Sequence, residues 1–208
     1  MVNLITYQEI KDEEDIERRK EQNLLQRHKS ILVVYTAFFT GMIVAMSLVF
    51  LLLPQATVEK LFDDQINEIK LIRGSAIFAD TFQRILVNNI GVLFISFLFA
   101  FLFGSGAVFI LAWNASVLST AIGLTAKAMG GMKGLPLAIM VYFPHGSLEI
   151  LAYFIGGVAG GLVSAAITRR KSKWLWVIIK DSLVLMSISV ILLIVAGAIE
   201  TTSIAMAK

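Results

Sequence analysis

His145 and Glu149 stand four residues apart in VYFPHGSLEI, the stretch from Val141 to Ile150, in the middle of a long apolar tract. On a helix that spacing puts both side chains on one face, about one turn from each other. An imidazole and a carboxylate so placed can hydrogen-bond, which lowers the cost of carrying either into an apolar setting. Asn88 and Asn89 interrupt a second apolar segment near its start, and Asn114 lies within a third. The chemistry open to such a group is proton, ion or small-anion handling, or mutual satisfaction that locks helix register.

Hydrolytic chemistry fits the residues poorly. A zincin needs two histidines in H-E-x-x-H, whereas here the order is H-x-x-x-E, and His28, the other histidine, belongs to a charged segment. There is no G-x-S-x-G elbow, and Ser147 reads as a helix-start hydroxyl. The absence of cysteine removes thiolate nucleophiles, thiolate metal sites and disulfides. One histidine and one carboxylate make an incomplete zinc set. No catalytic residue, metal ligand or cofactor is therefore assigned.

The elements that must position these side chains follow from composition. Of 208 residues, 57% are hydrophobic and 16% charged, with a mean hydropathy of +0.80. A soluble domain is about 45–50% apolar and about a quarter charged. Here the apolar residues also gather into blocks long enough to cross a bilayer, which excludes an ordinary soluble fold. The net charge of +3 comes from short basic clusters beside those blocks, an arrangement that orients a membrane protein and does not describe a nucleic-acid surface.

The blocks predict an all-α, polytopic bundle of five transmembrane helices. Residues 1–30 form a charged cytoplasmic arm, with helical glutamate and lysine spacing in DEEDIERRKEQ and no signal-peptide core. Residues 31–208 form the membrane domain, with spans near 31–53, 85–103, 107–126, 146–168 and 183–199. Pro54 ends the first span, and Gly104 to Gly106 make a tight turn between the second and third. Segment 56–73 is amphipathic, with Val58, Leu61, Phe62, Ile66, Ile69 and Ile72 on one face. It should lie in the outer interface or over the bundle.

Leu135 to Phe143 is apolar but too short to cross unaided, and Pro144 and Gly146 would break it from the next span. It is read as a non-crossing half-helix, with backbone N–H groups freed at the start of the following helix. Charge parity supports that count. Arg27 and Lys29 before the first span, and Arg169, Arg170, Lys171 and Lys173 after the fourth, should share the cytoplasmic side. The N-terminus then lies in the cytoplasm and the C-terminus outside the cell membrane. Trp174 and Trp176 sit at the interface.

Below Glu149, Gly156 and Gly160 continue its face, while Gly157, Gly161 and Ala165 form a parallel small-residue ridge. Such ridges let another helix approach closely. The polar face therefore points at protein, with Asn88 and Asn89 at similar depth and Asn114 deeper. Three readings stay open: first a structural lock in a non-enzymatic scaffold or complex subunit, next a transport or substrate site at a broken helix, and, least supported, an enzyme.

The PHGSLE stretch resembles the P-H-G-x-x-E signature of the stage II sporulation protein M family. The likeness extends through Asn88-Asn89, the Gly104–Gly106 turn, Asn114 and Gly123, from the first span to the last. One departure is Ala115, where the family commonly has glycine after the asparagine. The resemblance implies a five-span membrane protein, similar to a scaffold that in spore formers recruits cell-wall-degrading partners. Expected partners are membrane lipids and either a second copy, as a homodimer, or other membrane proteins, with no nucleic acid.

Overall fold

The computed structural model describes Tyr7 and residues 29–73, 78–104, 106–168 and 175–206. Most of the charged arm, Gly74, Ser105 and the basic cluster from Arg169 to Trp174 lie outside the described residues. Among the described residues the regular structure is helical. It comprises α1 (Lys29–Leu52), α2 (Gln55–Leu61), α3 (Asp63–Arg73), α4 (Phe78–Phe103), α5 (Ala107–Ala128), a 3-10 turn (Gly131–Gly134), α6 (Leu135–Thr168) and α7 (Leu175–Met206). Among the described residues, α1, α4, α5, α6 and α7 are the five helices long and apolar enough to cross a membrane, as the hydropathy blocks predict.

The sequence stops these helices in recognisable ways. Pro54 follows α1, and Gly104, with φ of 62°, turns the chain from α4 into α5. Past α5, Gly130 and Gly131 take φ of 99° and 73°, left-handed values that end a helix at little steric cost.

One expectation is corrected. The stretch 135–143 is not a separate half-helix, because α6 runs unbroken for 34 residues with Pro144 inside it. Proline removes a single N–H, and within a membrane span neighbouring groups can re-satisfy the freed carbonyl. Pro144 itself lies on an exposed face of the helix. With no break there is no new helix end at Gly146 and no set of free N–H groups. The count of five spans stands, since 135–143 is the first part of the fourth. At about 1.5 Å per residue α6 is about 51 Å long, more than a hydrocarbon layer of about 30 Å, so it tilts or projects. The last span is also longer than expected: α7 begins at Leu175 and carries Glu200 well inside the helix.

Helix α6 is the centre of the bundle. Its buried Tyr153, Phe154, Val158 and Leu162 join Tyr35 and Phe39 of α1, Leu93 of α4, Leu111 of α5 and Leu185 of α7 in one core. The neighbours' directions can be read from these contacts. A Cβ on Gly156 would meet Leu93, and one on Gly160 would meet Phe97, Ala100 and Phe101, so α4 and α6 run parallel. Ser182 Oγ donates to the Ala159 carbonyl at 3.1 Å, while Glu200 faces Glu149, so α7 runs antiparallel to α6.

The amphipathic segment is two helices, α2 and α3, with a break at Phe62 (φ −117°, ψ 21°). Val58, Phe62 and Ile69 are buried as the periodicity predicts, but Leu61 is exposed. The pair packs along α5: Lys127 Nζ donates to Gln55 Oε1 at 2.9 Å, and Gln65 Nε2 to Ser116 Oγ at 3.2 Å. Ile69 thereby reaches the core near Ala121 and Tyr142.

Candidate functional site

The five polar residues singled out in the sequence, Asn88, Asn89, Asn114, His145 and Glu149, line one cavity of about 100 Å³. They come from three helices, and each lies at least two turns from its helix end. Glu149 Oε1 accepts from Asn89 Nδ2 at 2.8 Å, and Asn89 Oδ1 accepts from Asn88 Nδ2 at 3.4 Å. The two asparagines thus form a short relay that ends on the carboxylate. Being consecutive on one helix, they would ordinarily point about 100° apart. The site uses that angle: Asn89 is buried and reaches Glu149, while Asn88 is half-buried on the cavity wall.

His145 is buried and packs its ring beside Tyr142, with centroids 5.8 Å apart. The Tyr142 hydroxyl lies 3.0 Å from Thr125 Oγ1 of α5, which fixes that ring against the neighbouring helix. Asn114 is at the same cavity and not in a separate, deeper position. Its Nδ2 donates back to the Ile110 carbonyl at 2.9 Å, leaving the amide oxygen as the group it can offer elsewhere.

Three polar lining residues escaped the sequence reading: Tyr142, Tyr153 and Glu200. Glu200 matters most, because it brings a second carboxyl group to face Glu149. It falls just past the last span predicted, 183–199, but is in fact part of α7, which runs on to Met206. A signal was present. Leu193, Ala196 and Gly197 are buried in α7, and Glu200 continues their stripe at three- and four-residue steps. The tyrosines look like ordinary core aromatics in the sequence, and only their neighbours reveal them.

Pro144 and Gly146, expected to supply backbone groups, do not do so within a continuous helix. Among the described residues no group of three or more histidine, cysteine, aspartate or glutamate side chains is arranged to hold a metal ion. The cavity's inventory is therefore acceptor-rich: two carboxyl groups, asparagine amide oxygens and one imidazole.

The glycines are spent on packing inside the chain. Gly156 and Gly160 admit α4, and Gly157 admits Ala107 and Tyr35. Gly161 is buried beside them. These close approaches hold α4 and α5 in place around the polar group.

The model of the Stage II sporulation protein M family matches residues 30–203, from the start of α1 almost to the end of α7. The chain belongs to that family. It is an integral membrane protein with several spans. The curated proteins and the solved structures give no significant match, so the family assignment rests on the family model and carries no residue roles with it.

Proposed function

We propose that this family member is a transport or channel-like membrane subunit that takes a proton or small cation at Glu149, Glu200 and His145. The observation that carries the reading is the pair of carboxyl groups, Glu149 and Glu200, within hydrogen-bonding reach of each other on the wall of a small cavity within the bundle. Ionisable groups inside a membrane are costly, and two carboxyl groups held close together cost more than one when both are charged. A proton, an imidazolium at His145 or a small cation would balance them. The cavity has room for a few waters or one ion, and the asparagine relay offers it oxygen ligands. An anionic substrate is disfavoured by the same carboxyl groups and by the lack of a helix end at Gly146. In this reading the chain sits in the cell membrane with its N-terminus in the cytoplasm and its C-terminus outside, as the basic clusters predict.

A second reading has its own support. Asn88, Asn89 and Glu149 satisfy one another, which is what a structural lock in a non-enzymatic scaffold requires. Such a scaffold would work as a homodimer or with other membrane proteins.

Liposome reconstitution separates the two. A transporter gives proton, sodium or potassium flux above protein-free vesicles, and Glu149→Gln and Glu200→Gln each return it to background while the protein stays monodisperse. No flux from the folded wild-type chain, together with partner capture that is indifferent to either substitution, rejects transport in favour of the scaffold.

A further inference from the structure

Helix α1 does not lie flat against α6. At one end Tyr35 and Phe39 pack on the Phe154 ring, with centroids 5.5 and 5.7 Å away. Toward the other end α1 leans onto α5, where Phe50 fills the space over Gly123 and Ile43 meets Ser119. The divergence opens a groove of about 540 Å³ between α1 and α6, floored by Leu118 and Ile122 of α5. Its lining is almost wholly apolar, and Val44, Ile139 and Phe143 on its walls are exposed.

Gly146 lies in this groove, and nothing in the backbone demands a glycine there. The residue is helical, its φ is not positive, and an added Cβ would meet only Leu118 methyls at 3.8 and 3.9 Å. What a larger side chain at 146 would do is fill the groove.

We infer that this groove binds one hydrocarbon chain of a bilayer lipid. Three observations favour that occupant over a helix or a second copy. The groove faces outward from membrane-spanning helices, where hydrocarbon is the surrounding solvent. It is elongated, with lining residues along α6 from Ile139 to Phe154, about 22 Å at 1.5 Å per residue. A helix is about 10–12 Å across, and a cylinder of that width and length far exceeds 540 Å³. The volume does lie in the range of about 300–1,000 Å³ typical of pockets that enclose a small ligand. Phe39, Leu118, Tyr142 and Ile150 line both the groove and the polar cavity, so the bound chain rests against the wall of that site. The inference stands whether the cavity transports or locks.

The test uses the full chain in phosphatidylcholine vesicles that carry a trace of the same lipid with a photoactivatable diazirine midway along one acyl chain. After illumination and proteolysis, adducts are mapped by mass spectrometry. Val44, Ile139 and Phe143 should be labelled about tenfold more than Phe94, Phe109 and Ile191, which are on average more exposed, and Gly146→Leu should erase that excess without changing labelling elsewhere. Thr40→Phe, on the opposite wall, serves the same purpose if Gly146→Leu is not monodisperse. Uniform labelling of all outward faces, an excess that survives both substitutions, or groove residues shielded by a second copy would each overturn the inference.

Discussion

From Ala152 to Leu162 every residue of α6 is buried, whereas from Leu135 to Leu151 most of its side chains are half or fully exposed. The first stretch carries Gly156, Gly157, Gly160 and Gly161, and neighbours press so closely onto the first three that a methyl group would collide with them. The second carries Pro144, His145, Gly146 and Glu149, and both the polar cavity and the apolar groove lie along it. One helix is thus a packing hub over one half and the wall of two open spaces over the other. Small residues alone do not make the difference, since each half contains glycine. What decides is whether a partner backbone comes to the glycine, as Phe97 does at Gly160, or whether the space is left open, as at Gly146.

The largest effect should come from the hub. Gly160→Ala drives a methyl group into the Phe97 carbonyl, with Ala100 Cβ and Phe101 N each only 3.0 Å away. Those are α4 backbone and Cβ atoms, which can yield only if α4 separates from α6. The loss should reach or exceed the upper end of the about 1–3 kcal/mol typical of overpacking, read as a lower thermal midpoint in detergent. Gly156→Ala meets Leu93 Cδ1 instead, the end of a rotatable side chain. Its cost should be smaller, and combined with Leu93→Ala the total loss should be less than the sum of the two. Equal losses at both glycines would break the distinction between backbone and side-chain contact.

An intermediate effect is expected at the polar cavity. Asn89→Ala removes the 2.8 Å bond to Glu149 and leaves that carboxyl group without its asparagine donor. Interhelical polar bonds in membranes are worth about 0.6–2 kcal/mol, so a loss near 1 kcal/mol is expected. Asn114→Ala should cost less, because its amide bonds the Ile110 carbonyl of its own helix. Reversal of that order in a denaturation series would mean that Asn114, not Asn89, anchors the site.

How much of this was legible in the sequence depends on the kind of signal. The long apolar blocks gave five spans, because span length and charge exclusion are properties of single segments. The convergence of Asn88, Asn89, His145 and Glu149 was also readable, since polar groups in apolar tracts must seek one another. Asn114 was found but set apart from the other four, because which cavity it lines depends on how α5 packs among its neighbours. Glu200 was missed because hydropathy falls at Thr201 and Thr202, although Thr201 is buried and α7 continues past it. Pro144 misled for a physical reason: its helix-breaking tendency in water is weaker where the surroundings supply no competing partners for the backbone. The groove leaves no sequence trace, because it arises from the angle between α1 and α6.

The smallest stability effect, and the sharpest check on the open half of α6, is expected at Gly146. If the glycine were needed for close packing, as at Gly160, alanine would destabilise. The nearest atoms to an added Cβ are the Leu118 methyls at 3.8 and 3.9 Å, which is ordinary contact. Within a helix, alanine is also intrinsically better than glycine by about 0.8–1 kcal/mol, because the unfolded chain has less freedom to lose. Gly146→Ala should therefore leave the thermal midpoint unchanged or raise it slightly, while Gly160→Ala lowers it. A clear loss at Gly146 would mean that α1 or α5 closes over this position, and the groove would then not be a standing feature of the fold.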